Sequence, residues 1–504
     1  MTHLKLKNLF TILLCFIILL PVVFLSGCFD EAFSIYFGVE EMPYNLDPQK
    51  AETYGELLAV RNCFKGLFKE DSDNNIVPDL VDTYTVSDDK LTYTFRLKTA
   101  KWKDGTEITA DDFIFAVSRA KDPVTASASK ELVENIEKMA EIDNKSFIFK
   151  LKRPDENFLK TLTSAVFKPC NRKFFEKSGG KYGLSRQYLL TNGDYSVASW
   201  NDRQIKLRLT ENHERINTAP ENVFITVSST GKNSVERIND KEIGMAVNTI
   251  NDWSSVDNSK YSITQRLSKV YALIFNKNTE VGRNENLTSA FAKSIHKEYY
   301  SVRMSKRFSV PKSVILNDTL LPAIPPYEYQ FDSTAARNEF LEALKDFKNK
   351  KLPSISVLTA QSSDINSVLR DIVSQWQSHL GAYVNVTTLK NEDILLSTVK
   401  SGGFTVALVP LNNDEDEILK LLTDNTSGIY LNNGELDKAA TDYFEAHDFS
   451  KKIKALTDAA MLLSKEASVI PIVSAPTSYI VDKTYNNVVF SAVDSTVDFT
   501  IIYK

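Results

Sequence analysis

The sequence predicts an α/β protein with parallel sheet, spread over about three domains. Three observations carry that expectation. Strand-like stretches with apolar residues at every second position alternate with helix-like stretches along the whole chain. A length of 504 residues corresponds to roughly three domains at ~150 residues each. An apolar share of 43% is ample for large cores, yet no Pro/Gly/Ser-rich linker divides the chain into modules. The domains are therefore expected to share long interfaces, and some to be discontinuous in sequence. No internal repeat is visible.

The N-terminus comes first because it fixes the compartment. Lys5 and Lys7 precede an almost wholly apolar run from Leu9 to Leu25, which ends in Leu25-Ser26-Gly27-Cys28. This is the layout of a secretory signal. An uncleaved anchor is the other reading, since the run approaches the lower length limit of a membrane-spanning helix. The L-S-G-C ending resembles the bacterial lipobox, which implies cleavage before Cys28 and lipidation of its sulfur. Residues 1–27 would then be a signal peptide, leaving 504 − 27 = 477 residues. Losing Lys5 and Lys7 takes the formal charge from −5 to −7. Two acyl chains hold a protein on a bilayer where one does not.

Further along, Leu91, Tyr93, Phe95 and Leu97 recur at period two, as do Phe147, Phe149 and Leu151, and Ile205, Leu207 and Leu209. Each set predicts a half-buried strand. Leu287, Phe291 and Ile295 keep helical spacing. Ile365, Val368, Leu369, Ile372, Val373, Trp376 and Leu380 fall on one helical face, with Gly381 as the stop. A strand over 382–389, a helix over 391–403 and a strand over 404–411 follow. Ile453, Leu456, Ala460 and Leu463 mark a late helix before a strand at 469–473.

Several chemistries are disfavoured. A mildly acidic chain without a long basic run is not built for nucleic acid. No metalloprotease, Walker A, nucleophile-elbow or C-x-x-C motif occurs. Asp71, Asp73 and Asn75 begin like a calcium loop, but Ile76 stands where the sharp turn needs Gly. The run 412–417, Asn-Asn-Asp-Glu-Asp-Glu, could be a carboxylate pair for acid–base work. A helix start, where the macrodipole favours acidic side chains, accounts for it more simply. No enzyme, metal or cofactor is expected. Cys63 and Cys170 could form a disulfide or stay as buried free thiols.

Residues 75–123 carry the most specific pattern. "KWKDGTEITADDF" (101–113) sits within it, between Tyr-Thr-Phe-Arg-Leu (93–97) and a helical stretch. The segment resembles the extracellular solute-binding proteins of peptide ABC transporters. Shorter likenesses follow in the same order: Leu46-Asp47-Pro48, Gly66-Leu67, the stretch 191–212, Trp376 to Val386, and 462–473. Under this resemblance Asp104-Gly105 is a turn, Thr109 caps a helix starting near Ala110, and Trp102 belongs to the core rather than the ligand site. The segment 279–298 departs from the family pattern.

The resemblance implies a two-lobed periplasmic-binding-protein type II fold with a small α/β domain inserted in the first lobe. The expected division is 28–66, 169–268 and 473–504 for lobe 1, 67–168 for the insertion and 269–472 for lobe 2. It also implies a peptide or similar small solute held between closing lobes, and delivery to an ABC permease by a monomer. The expected place is the extracytoplasmic face of a bacterial membrane. A degenerate surface sensor without import is the alternative. Carried over residue by residue, Asp414 falls where a carboxylate receives the peptide amine, beside Asn412 and Asn413. Glu52, Thr53 and Tyr54 fall on a ligand-facing loop, and Asn248 and Thr249 in the cleft. An ordinary helix N-terminal acid is the other reading of Asp414.

Overall fold

The structure is a computed structural model that describes residues 33–504 except 40, 211–217, 249–254, 304–307, 316–322, 447–448 and 492. Ten strands form one sheet. Their order is Val384–Leu389, Ile355–Ala360, Val406–Asn412, Tyr261–Phe275, Val469–Asp482, Met245–Asn248, Ser34–Gly38, Asn222–Thr226, Gln204–Leu209 and Tyr195–Trp200. The expected parallel pairing holds for two groups of three: 355–360 with 384–389 and 406–412, and 34–38 with 222–226 and 245–248. Two long antiparallel strands, Tyr261–Phe275 and Val469–Asp482, join the groups. The sheet is therefore mixed, because the joining strands belong to both halves and cannot be built from strand–helix–strand units.

Alternation along the joining strand explains how the second half is covered. Val270, Ala272 and Ile274 face a cluster with Leu395, Leu419, Leu456 and Leu463, while Tyr271, Leu273 and Phe275 face one with Phe291, Leu369 and Trp376. Successive side chains of a strand point to opposite faces, so one strand feeds two cores. The helix Ser363–Leu380 ends as its sequence predicts, with Gly381 at φ 73°. The helix Glu285–Lys293 also forms despite the divergent sequence there.

A separate antiparallel sheet, ordered Val81–Val86, Thr92–Leu97, Ser146–Leu151 and Ile136–Asp143, is built by the segment 75–151. Its apolar face, with Phe95, Phe147 and Phe149, shares one continuous core with Phe37, Leu58, Leu207 and Val223 of the first half. The C-terminal residues Val497, Phe499 and Ile502 enter the same core.

The 101–113 motif resolves into scaffold. Gly105 turns at φ 88°, its N–H donating to Trp102 O at 2.9 Å. Thr109 and Asp112 form a capping box at the start of the helix Ala110–Lys121. Trp102 is 2% exposed and its indole donates to Asp112 Oδ2 at 3.1 Å. Burial pushes the Asp112 carboxyl up to about 6, against the pull of the Thr109 N–H and that indole.

One buried ion pair ties the segment 75–151 to the loop that follows the strand Ser34–Gly38. Arg119, from the helix Ala110–Lys121, meets Asp47 Oδ2 at 2.5 Å and Gln49 Oε1 at 2.7 Å, and lies 4.0 Å over the Phe175 ring. Cys63 and Cys170 are buried free thiols, each pushed up to about 12 by burial. Asp71 accepts from the N–H groups of Asp73 and Asn75, which makes the 71–75 stretch a turn between the paired strands Phe68–Glu70 and Ile76–Pro78. Among the described residues no three His, Cys, Asp or Glu side chains converge as metal ligands.

Candidate functional site

Strand direction locates the cleft. In the second half, Asn412 is in register with Lys269, so the strands 355–360, 384–389 and 406–412 all run toward the point where the joining strands leave. In the first half, Asn248 is opposite Ser478 and Met245 opposite Val481. The strands 34–38, 222–226 and 245–248 thus run toward the second half. The carboxyl ends of the two parallel groups therefore face each other across the joining strands. Ligands of open α/β sheets bind outside such ends.

The second-half rim is assembled from helix starts. Asp414 caps the helix Glu415–Thr423, its Oδ1 accepting from the Glu417 N–H at 2.9 Å. The acidic residues Glu415, Asp416 and Glu417 fill the first turn, as the macrodipole favours. Asn412, Asn413 and Asp414 are all exposed. Beside them Lys269 Nζ lies 2.7 Å from Glu392 Oε2, and the Tyr271 hydroxyl donates to Glu392 Oε1 at 3.2 Å. Burial, and then Glu392, raise the Tyr271 phenol above its ordinary range.

The first-half rim contains the loop 45–53. Thr53 and Glu56 form a capping box at the start of the helix Tyr54–Cys63. Glu56 Oε2 accepts from the N–H groups of Glu52 and Thr53, and its Oε1 from Asn45. Tyr54 donates its hydroxyl to Ser495 O at 3.1 Å and stacks on Phe37. A Cβ on Gly55 would lie 2.9 Å from Pro43, which shows how tightly the helix start seats on the loop.

The segment 130–153 also reaches the second half. Arg153 Nη1 donates to Phe444 O at 3.5 Å, bridging the insertion and the second half. Glu131, on the short helix Lys130–Glu134, has its carboxyl held above the ordinary range by burial; Asp414 adds to this and Lys420 opposes it.

The candidate residues therefore divide. Asp414, Asn413 and Asn412 come together at the second-half rim. Glu52, Thr53 and Tyr54 lie on the first-half rim, where Thr53 and Tyr54 also have structural partners. Asn248 ends its strand at the cleft, while Thr249 and Cys28 lie outside the described residues. Lys269, Tyr271, Glu392 and Glu131 were not singled out from sequence. No local motif marks them, and only the register of the long strand and the placement of the insertion bring them to the rim. The Thr53-x-x-Glu56 box was readable as a helix start.

The chain is similar to known proteins over most of its length. The periplasmic oligopeptide-binding protein OppA of Salmonella typhimurium is 25% identical over 479 residues, covering 85% of this chain and 84% of that protein. The dipeptide-binding protein DppE of Bacillus subtilis is 22% identical over 474 residues, covering 87% and 86%. Among solved structures, Listeria monocytogenes OppA bound to peptide superposes with a TM-score of 0.74 at 18% identity, covering 94% of this chain and 99% of that one. Haemophilus influenzae OppA in complex with RPPGFSPFR gives 0.75 at 19% identity, with the same coverage. The fold is thus the two-lobed periplasmic-binding-protein type II fold. The model of the bacterial extracellular solute-binding proteins, family 5 (middle region), matches residues 75–428, and the chain belongs to that family.

Proposed function

We propose that this protein binds a peptide between its two lobes and hands it to an ABC permease, as a lipid-anchored, non-enzymatic carrier outside the cytoplasmic membrane. The observation that carries the reading is the meeting of the two sets of strand carboxyl ends across a pair of joining strands, with Asp414 exposed at the rim. A peptide brings an amine, a carboxylate and unsatisfied backbone groups, each of which needs a partner once buried. Asp414 receives the amine, with Asn412 and Asn413 beside it. Glu52, Thr53 and Tyr54, and Asn248 and Thr249, line the opposite wall.

The lobes divide as 28–66, 169–268 and 473–504 against 269–472, with 67–168 inserted. The separation of the first-half core from the two second-half cores supports the division into two lobes. The similarity to oligopeptide- and dipeptide-binding proteins supports the ligand class.

A thermal-shift screen of di- to pentapeptides tests the ligand class. A ligand bound only by the folded form stabilises it by ~2.7 kcal/mol at a hundredfold excess over Kd, so a binding peptide raises the Tm. A sugar or metal shifting the Tm while every peptide fails would refute the assignment. Among the described residues no helix is long and apolar enough to cross a membrane. Anchoring is tested separately. Cys28→Ala is expected to release the protein from the membrane fraction or leave an unprocessed precursor. Unchanged processing and lipid labelling would rule out the lipobox.

A further inference from the structure

We propose a second ligand site, outside the cleft, in which Lys168 and Arg61 hold inorganic phosphate where the helix Tyr54–Cys63, the segment 163–168 and the C-terminal residues meet. It stands whether or not the cleft holds a peptide.

The site is a pocket lined by residues far apart in the chain. Arg61 stands near the end of the helix Tyr54–Cys63, and Lys168 follows the short turn Ala165–Phe167. Asp79 follows the strand Ile76–Pro78, and Asp498 precedes the turn Phe499–Ile501. The volume, mouth included, is about 480 Å³, against ~30 Å³ for one water, so a small ion fits. Tyr54, at the cleft rim, is seven residues from Arg61 on the same helix, or ~10 Å along its axis. The pocket is therefore separate from the peptide site.

Two cationic donors point it toward an anion. Lys168 is 6% exposed, yet among the described residues its ammonium has neither a hydrogen-bond acceptor nor an ion-pair partner. Gly66 makes room for it: a Cβ there would fall 2.9 Å from Lys168 Nζ. Burial pulls the ammonium below its ordinary range; Asp79 opposes this and Arg61 adds to it. Arg61 donates from Nη1 to Glu70 Oε2 at 3.3 Å, but its Nε is buried with no acceptor among the described residues. Buried donors of this kind cost free energy until an acceptor reaches them.

The carboxylates on the same wall decide which anion. Asp194 is engaged by Lys65 Nζ at 2.9 Å. Asp79 Oδ2 accepts from the Gly66 N–H at 2.9 Å, and Asp498 Oδ1 from the Thr500 N–H at 2.9 Å. Each of these two keeps acceptor capacity on its second oxygen. Sulfate would set its oxygens against them with nothing to donate. Inorganic phosphate brings acceptor oxygens for the lysine and the arginine and an O–H for an aspartate. A site that hydrogen-bonds a ligand O–H rejects the analogue without one.

The test titrates the purified protein, by calorimetry and Tm, with sodium phosphate, sodium sulfate and methyl phosphate at equal ionic strength. At about pH 8, above the second ionisation of a phosphate ester, only inorganic phosphate of the three retains an O–H. Sulfate also controls for the general stabilisation given by salts excluded from the surface. Phosphate is expected to bind at least ~tenfold more tightly than either of the others. Lys168→Met removes an unpaired buried charge, so it is expected to keep or raise the Tm without phosphate and to abolish the phosphate response. No binding of phosphate, or equal binding of phosphate and sulfate, overturns the proposal. So does a Lys168→Met variant with an undiminished response. Methyl phosphate binding as tightly as phosphate overturns the assignment to the free ion. Should Lys168→Met fail to fold, the three anions on the wild type still decide.

Discussion

Asp414→Asn is expected to weaken binding of a free-amine peptide by two to four decades while leaving the fold almost unchanged. The substitution keeps the shape and removes the charge, so the ligand's ammonium is enclosed without its counter-ion. Breaking a buried pair in this way costs ~3–5 kcal/mol, at 1.4 kcal/mol per decade of Kd. The fold is spared for a specific reason. Asp414 caps the helix Glu415–Thr423 through a bond from the Glu417 N–H, and Asn caps a helix as well as Asp does. Asp414→Ala would lose the cap too, at ~0.5–2 kcal/mol of stability. The two roles of this residue are thus separable by comparing Asn with Ala. Calorimetry with a peptide and its N-acetylated form completes the test. Equal affinity of the wild type for both forms would exclude Asp414 as the amine partner.

Arg119→Ala is expected to destabilise the protein by ~3–5 kcal/mol, the usual cost of leaving a buried charge alone. Asp47, with a side chain 2% exposed, would lose the guanidinium 2.5 Å away. It would keep the Gln49 N–H, which does not neutralise it. Replacing both partners, as Arg119→Met with Asp47→Leu, should cost less than Arg119→Ala alone, since no isolated charge is then buried. Urea unfolding of the two variants against the wild type measures this. A loss below ~1 kcal/mol for Arg119→Ala would show that Asp47 finds another cation or solvent. The pair matters to the site because Asp47 O accepts from the Lys50 and Ala51 N–H groups, and so shapes the loop that leads to Glu52.

Much of the fold was legible because its signals are local. The strands Thr92–Leu97, Ser146–Leu151 and Gln204–Leu209 alternate cleanly, and the helix Ser363–Leu380 carries its apolar face and its Gly stop in one stretch. The joining strand Tyr261–Phe275 was not legible. Its first half, with Ser262, Thr264, Gln265, Arg266, Ser268 and Lys269, is nearly as polar as a loop. It is a strand because Val469–Asp482 pairs with it from some two hundred residues away. The strand predicted at 469–473 is the front third of that partner, whose continuation past Ser474 has no internal mark of its end. The site was legible only through resemblance. Asp414 looks from sequence like any helix cap, and it is one; Lys269 and Glu392 become neighbours only when strand and helix are placed together.

The route of the chain through the first lobe bears on how the protein is made. Phe37, Leu58 and Leu207 share their core with Val497, Phe499 and Ile502, and Asn62 bonds both Val497 O and the Phe499 N–H. A ribosome delivers that late segment 437 residues after Asn62. The first lobe's core therefore stays incomplete until the later segment has been made. Contacts so distant in sequence are slow to form.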